Sequence, residues 1–98
     1  MIVKVHKSDE KIILAVCDTE LIGKKFVEQN RQLDLRSNFF KGIEMDENQV
    51  KKLMKQAYII NLVGIKSVGV GLAEGLVEEN RIIKIDNIPH AQAVITKE

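Results

Sequence analysis

The sequence predicts an α/β (α+β) fold, a single compact domain in which a mixed sheet of about five strands carries about three helices. Three observations point to it. The N-terminal "MIVKVHKSDEKIILAVCD" sets two Val- and Ile-rich runs on either side of a polar turn, the pattern of a β-hairpin. "YIINLV", Tyr58 to Val63, is apolar on both faces but for Asn61, as a strand covered on both faces is. Between them the stretch from Asp46 repeats its apolar residues at helical spacing.

Strand one alternates, with Val3 and Val5 on one face and Ile2, Lys4 and His6 on the other. Ser8, Asp9 and Glu10 suit the turn. Ile12 to Cys17 is apolar on both faces and belongs inside the sheet. Asp18 and Thr19 then offer N-cap oxygens for a helix through Leu21, Ile22 and Phe26 to Glu28, with Ile22 and Phe26 on one face. Gly23 weakens that helix by about 1 kcal/mol relative to Ala. "NRQLDLRSNFFKGIEM" is polar and irregular and reads as a long loop, with a short strand near Phe39 and Phe40.

Asp46 opens the clearest helix. Asp46 and Gln49 have capping-box spacing, and Val50, Leu53, Met54 and Ala57 form one apolar stripe. Lys51, Lys52 and Lys55 lie opposite, either as a solvated face or as an RNA-contacting patch. "YIINLV" is the second buried strand. A glycine-rich helix follows, with Val68, Leu72, Leu76 and Val77 turned inward. "RIIKI" is a strand, Asp86 and Asn87 turn the chain, and "HAQAVIT" after Pro89 is the last strand. The order is ββα, a loop, then αβαββ, without internal repeat or low-complexity linker.

Ninety-eight residues make one domain, 1–98, with a single core. Apolar residues at 45% and charged residues at 30% are the mix of a soluble globular protein. Fifteen basic and fourteen acidic side chains leave a net charge of +1, so the chain lacks the overall footprint of many nucleic-acid-binding domains, and only a local basic patch stays open. One cysteine makes no internal disulfide, and the sequence shows neither a signal-peptide core nor a membrane-length apolar run. A cytoplasmic protein without membrane contact is expected. Aromatic residues at 4%, with no Trp, disfavour base stacking on aromatic platforms.

Four of the six glycines fall in "NLVGIKSVGVGLAEGLV". A phosphate loop requires Lys and Ser or Thr after its second glycine, because backbone N–H groups cradle phosphates while the lysine reaches the terminal ones. Here Val70 and Gly71 stand in those places. A dinucleotide loop fails as well, since its third glycine is missed by one residue and the glycines fall inside the helix. What survives is the Gly64 to Ser67 junction, where a strand ends and a helix begins. Its N–H groups and helix dipole are placed to receive an anion, helped by Lys66 and Ser67. The structural alternative makes Gly64 the turn, Ser67 an N-cap, and Gly69, Gly71 and Gly75 the means of close packing on the sheet.

Cys17, followed by Asp18 and Glu20, is a candidate nucleophile at a strand-to-helix junction, with His6 or His90 as its base; a lone cysteine also reads as a small buried hydrophobe. Two histidines and one cysteine without close spacing make no zinc set, so no metal or cofactor is expected. His90 and Gln92 share a face of the last strand, where they contact a ligand or water. An open edge there suits pairing with a second chain as a homodimer. The candidate ligand or anion contacts are Asn61, Gly64, Lys66, Ser67, His90 and Gln92.

Together "VKVHKS", "LAVCD", "ELIGKKF", "FFKG", "INLVG", "SV", "GLV" and "IPHAQ" resemble the small archaeal proteins grouped as domain of unknown function 424. The resemblance spans nearly the whole chain. It implies an archaeal cytoplasmic protein with a compact α/β fold and a translation-related setting, and no established activity. The matching polar positions are His6, Cys17, Asp18, Asn61, Gly64, Pro89, His90 and Gln92, none carrying an assigned catalytic role.

The leading expectation is a binding module that contacts RNA or a ribonucleoprotein through Lys4, Lys24, Lys25, Arg31, Lys51, Lys52 and Lys55 gathered on one side. The alternative is a small enzyme or metabolite binder that uses the Gly64 to Ser67 turn with Cys17 and His90. A homodimer through the last strand is the third.

Overall fold

A computed structural model describes residues 1–95. Strands β1 (Ile2–Ser8) and β2 (Lys11–Cys17) form the expected hairpin, turned at Asp9, which takes a φ of +57°. Asp tolerates that left-handed conformation because its short side chain bonds locally. Next come β3 (Lys25–Glu28), β4 (Arg31–Asp34) and the two-residue β5 (Ile43–Glu44). Helix α1 (Glu47–Gln56), β6 (Ile59–Val63), helix α2 (Ile65–Ala73), β7 (Ile83–Ile85) and β8 (Ile88–Val94) complete the chain. Of the run "HAQAVIT", Thr96 lies outside the described residues.

Six strands make one mixed sheet in the order β5-β1-β2-β6-β8-β7, and β3 and β4 form a separate hairpin. Only β2 and β6 pair in parallel, so the chain must cross over between them. β2 and β6 are the two central strands, which explains why their apolar runs cover each face, Asn61 of β6 excepted. The radius of gyration, 12.6 Å, is that of one compact domain.

Alternation divides the core in two. Val3, Leu14, Val16, Ile60, Leu62 and Ala91 face both helices, meeting Val50, Met54 and Ala57 near α1 and Val68 and Val70 from α2. The opposite face carries Cys17, Val63 and Ile85 beneath Leu33, Leu35 and Phe26 of the β3–β4 hairpin region. The sheet is thus sandwiched between a helical layer and a hairpin layer.

Four expectations fail here. The sequence predicts about five strands and three helices; the sheet has six strands, a hairpin is added, and the described α-helices are two. Asp18 to Glu28 is not a helix: one 3-10 turn, Thr19–Leu21, gives way at Gly23, whose φ of +87° ends helical geometry. Beyond it Phe26 turns to the core, opposite Leu33, and Gln29 at φ +54° reverses the chain. The expected long loop therefore contains β4 and β5, while Phe39 and Phe40 sit in a 3-10 turn rather than a strand.

The second half follows the expected αβαββ order. α1 has its full capping box, Gln49 N–H donating to Asp46 Oδ1 at 2.8 Å and Asp46 N–H to Gln49 Oε1 at 3.0 Å. Asp86 and Asn87, at φ +51° and +66°, make the two-residue turn of β7–β8, which needs positive φ at both positions. In α2 the inward residues are Ser67, Val68, Val70 and Gly71, whereas Leu72, expected inward, is exposed. Among the described residues no helix is long and apolar enough to cross a membrane.

Candidate functional site

The parallel pair places the ends of β2 and β6 side by side, with Cys17 opposite Val63. One residue further, Asp18 lies against the start of α2, and its N–H donates to the Val63 carbonyl at 3.0 Å. The Asp18 side chain is buried and accepts three bonds: from Lys66 N–H on Oδ2 at 3.0 Å, and from the Ser67 amide and hydroxyl on Oδ1 at 2.8 and 2.7 Å. A carboxylate at a helix N-terminus satisfies orphan donors and complements the dipole. Here it arrives from another strand.

This geometry corrects the anion-receptor expectation for Gly64, Lys66 and Ser67. The N–H groups of Lys66 and Ser67 hold the chain's own carboxylate, and a Cβ on Gly64 would overlap that carboxyl group. Gly64, at φ +106°, is the N-cap; Ser67 is not a cap but a buried donor inside the first turn. Pro89 completes the junction. Its carbonyl accepts from Gly64 N–H at 2.9 Å, and since Pro has no N–H to return, the Gly64 carbonyl is left to accept from Val68 N–H at 3.0 Å.

Cys17 faces the hairpin layer, fully buried, its thiol donating to the Asp18 carbonyl at 3.4 Å. Burial pushes the thiol up to about 12, and the charges of Asp18 and Glu20 push in the same direction. A nucleophile requires the reverse shift. The expected bases are also out of reach. His90 lies on β8 beyond Val63, two strand spacings or about 10 Å from Cys17, and burial lowers its pKa, favouring neutral imidazole. His6 has Nε2 3.0 Å from the Phe39 carbonyl, and its ring stacks on Phe39 at 4.5 Å. No nucleophile–base pair forms from these groups, and among the described residues no three His, Cys, Asp or Glu cluster in metal-binding fashion.

Asn61, His90 and Gln92 do come together. Asn61 and Gln92 are register partners, His90 precedes Gln92 by one alternation, and all three face the hairpin side of the sheet. The lysines separate. Lys51 and Lys55, on the helical layer, are paired with Glu47 and Glu74, each at 3.1 Å, while Lys24, Lys25 and Arg31 belong to the hairpin layer and Lys4 lies on that face of β1. The single lysine-rich face is therefore divided between two sides of the sheet.

Sequence reading missed the true partner of Asp18, taking it as a cap for its own following residues. The one signal was the combination of a carboxylate just past one buried strand and Gly-x-x-Ser just past another. It becomes legible only once the two strands are paired in parallel.

Together these features define a class: a small mixed α+β module whose strand-end junction is filled by its own side chain. The chain belongs to the protein family of unknown function DUF424, which it matches over residues 5–95. It is similar in fold to an uncharacterised conserved protein from Methanopyrus kandleri, seen in a crystal structure, with a TM-score of 0.82 and 24% identity over 99% of this chain and 93% of that one. Among curated proteins none matches significantly.

Proposed function

We propose that this chain is a non-catalytic cytoplasmic binding module that contacts RNA or a ribonucleoprotein from its hairpin side. The observation that carries the non-catalytic part is the internal use of three of the groups best suited to chemistry. Asp18 is spent on α2, Cys17 is a buried protonated thiol, and His6 is tied to Phe39. Support for a polyanionic partner comes from Lys4, Lys24, Lys25 and Arg31, which share the hairpin side and have no ion pair among the described residues.

Binding of a short single-stranded RNA across a salt series tests this reading. Four phosphate contacts give log affinity against log salt a slope of about −3, because each contact contributes about 0.7 on a single strand. Replacing Lys24, Lys25 and Arg31 together by Ala should flatten the slope to about −1, whereas Lys51→Ala on the helical layer should leave it unchanged. Absence of binding at the lowest salt, or equal loss from both variants, rejects the hairpin side as the RNA surface.

A further inference from the structure

We propose that the outer edge of β8 at Gln92 and Val94 is a docking strand for an extended segment of a partner protein, one that brings an acidic group to Arg81. The inference is independent of the RNA reading and rests on which way backbone groups point.

In an antiparallel ladder, successive residues direct their N–H and C=O alternately to the two neighbours. Two bonds fix the phase along β8: Gly64 N–H to the Pro89 carbonyl at 2.9 Å and Ile95 N–H to the Tyr58 carbonyl at 2.7 Å. Odd-numbered residues therefore face β6, and His90, Gln92 and Val94 face the other way. β7 meets that outer side only at Ile88, Pro89 and His90. Upstream of Ile83 the chain leaves the ladder in a 3-10 turn, where Arg81 N–H bonds the Glu78 carbonyl at 3.0 Å. Among the described residues the outward N–H and C=O groups of Gln92 and Val94 have no backbone partner.

Those groups look into a hollow of about 460 Å³, walled by Leu76, Val77, Glu78 and Arg81. An unpaired pair of donors and acceptors selects an extended backbone, which would lie in line with β7 as its continuation. Leu76 and Val77 offer an apolar wall to alternate side chains of such a segment. Arg81 is exposed and carries no ion pair among the described residues, so its guanidinium is available to a carboxylate on the incoming strand. Glu78 beside it disfavours a segment that is acidic throughout.

The experiment uses the full chain as bait for a displayed library of short random peptides. Enriched peptides should alternate apolar residues and carry one acid. The Val94→Pro variant removes an outward N–H and no ladder bond to β6, and it should bind the best peptide about tenfold or more weakly, with unchanged circular dichroism. Val94→Ala should bind as the parent does. N-methylation of alternate amides in the peptide should abolish binding in one phase and spare it in the other, a readout that does not depend on the variant's folding. Arg81→Glu should remove the preference for an acid. The proposal is overturned if no peptide is enriched, if Val94→Pro and both methylated peptides bind as well as the parents, or if sedimentation shows a dimer that Val94→Pro dissolves. In that last case a second copy takes the edge.

Discussion

Asp18 gathers three hydrogen bonds on one buried carboxyl group. Removing it strands the Ser67 hydroxyl and two amides at the base of α2, so Asp18→Ala should destabilise the fold by roughly 2–3 kcal/mol, more than a solvent-exposed N-cap is worth. Asp18→Asn, which keeps one acceptor oxygen, should lose less. Urea unfolding midpoints at constant m-value would measure both, and a loss from Asp18→Ala below about 0.5 kcal/mol would show that water replaces the carboxylate freely. At this scale the sequence displayed the right residue and hid its role. Asp18 and Ser67 are 49 positions apart, and no local spacing rule reaches so far.

Elements were legible where their determinants are local. α1 is written between Asp46 and Ala57 by a capping box and one apolar stripe, both of which form as read. The β7–β8 turn is written in Asp86 and Asn87 alone. The Asp18 to Glu28 segment misled because Ile22 and Phe26 have helical spacing, yet Gly23 adopts a φ that no helix uses and the strand partner of Phe26 lies across Gln29 and Asn30. The glycines of α2 separate in the same way. A Cβ at Gly71 would come within 2.5 Å of Leu62 Cδ1 and 3.0 Å of Val77 Cγ2, whereas at Gly69 it meets nothing within 4 Å. Gly71→Ala should therefore cost about 1–3 kcal/mol through overpacking, and Gly69→Ala should stabilise by up to about 1 kcal/mol through helix propensity. Thermal melts of the two variants should move in opposite directions; a shared direction would refute the assignment of close packing to Gly71 alone. Gly75 has a third task. At φ +71° it ends α2, with Gly75 N–H bonded to the Leu72 carbonyl and Leu76 N–H to the Gly71 carbonyl at 3.1 and 3.0 Å, the two bonds of a Schellman motif.

Across the whole molecule, a buried thiol and a half-buried imidazole set opposite limits on stability with pH. Cys17 rises from 9.0 to about 12 on folding, so its contribution is fully present below about pH 9 and is lost as pH climbs toward 12. His90 is lowered from 6.5 by burial, so its contribution is present above about pH 6.5 and is lost as pH falls through the lower folded value. Melting temperature should form a plateau between those limits; Cys17→Ala should flatten the alkaline limb and His90→Gln the shallow acid one. An unaltered alkaline limb in Cys17→Ala would contradict the buried-thiol account. The two-layer arrangement also explains what composition concealed. A net charge of +1 gives no hint that the ion-paired lysines of α1 and the unpaired cations of the hairpin lie on opposite sides of the sheet, because sidedness is a property of alternation and crossover.

The Asp18 junction has a further meaning when distance along the chain is read as time. Everything between the carboxylate and its donors, namely the β3–β4 hairpin, β5, α1 and β6, is made after Asp18 and before Ser67. At about 5–20 residues per second, a growing chain carries the anion for roughly 2–10 s before its three donors exist. During that interval β2 has neither its parallel neighbour nor the helix it anchors. The N-terminal hairpin must therefore wait, half-covered, and the same contact that locks the finished sheet marks the moment at which its two central strands can first be held together.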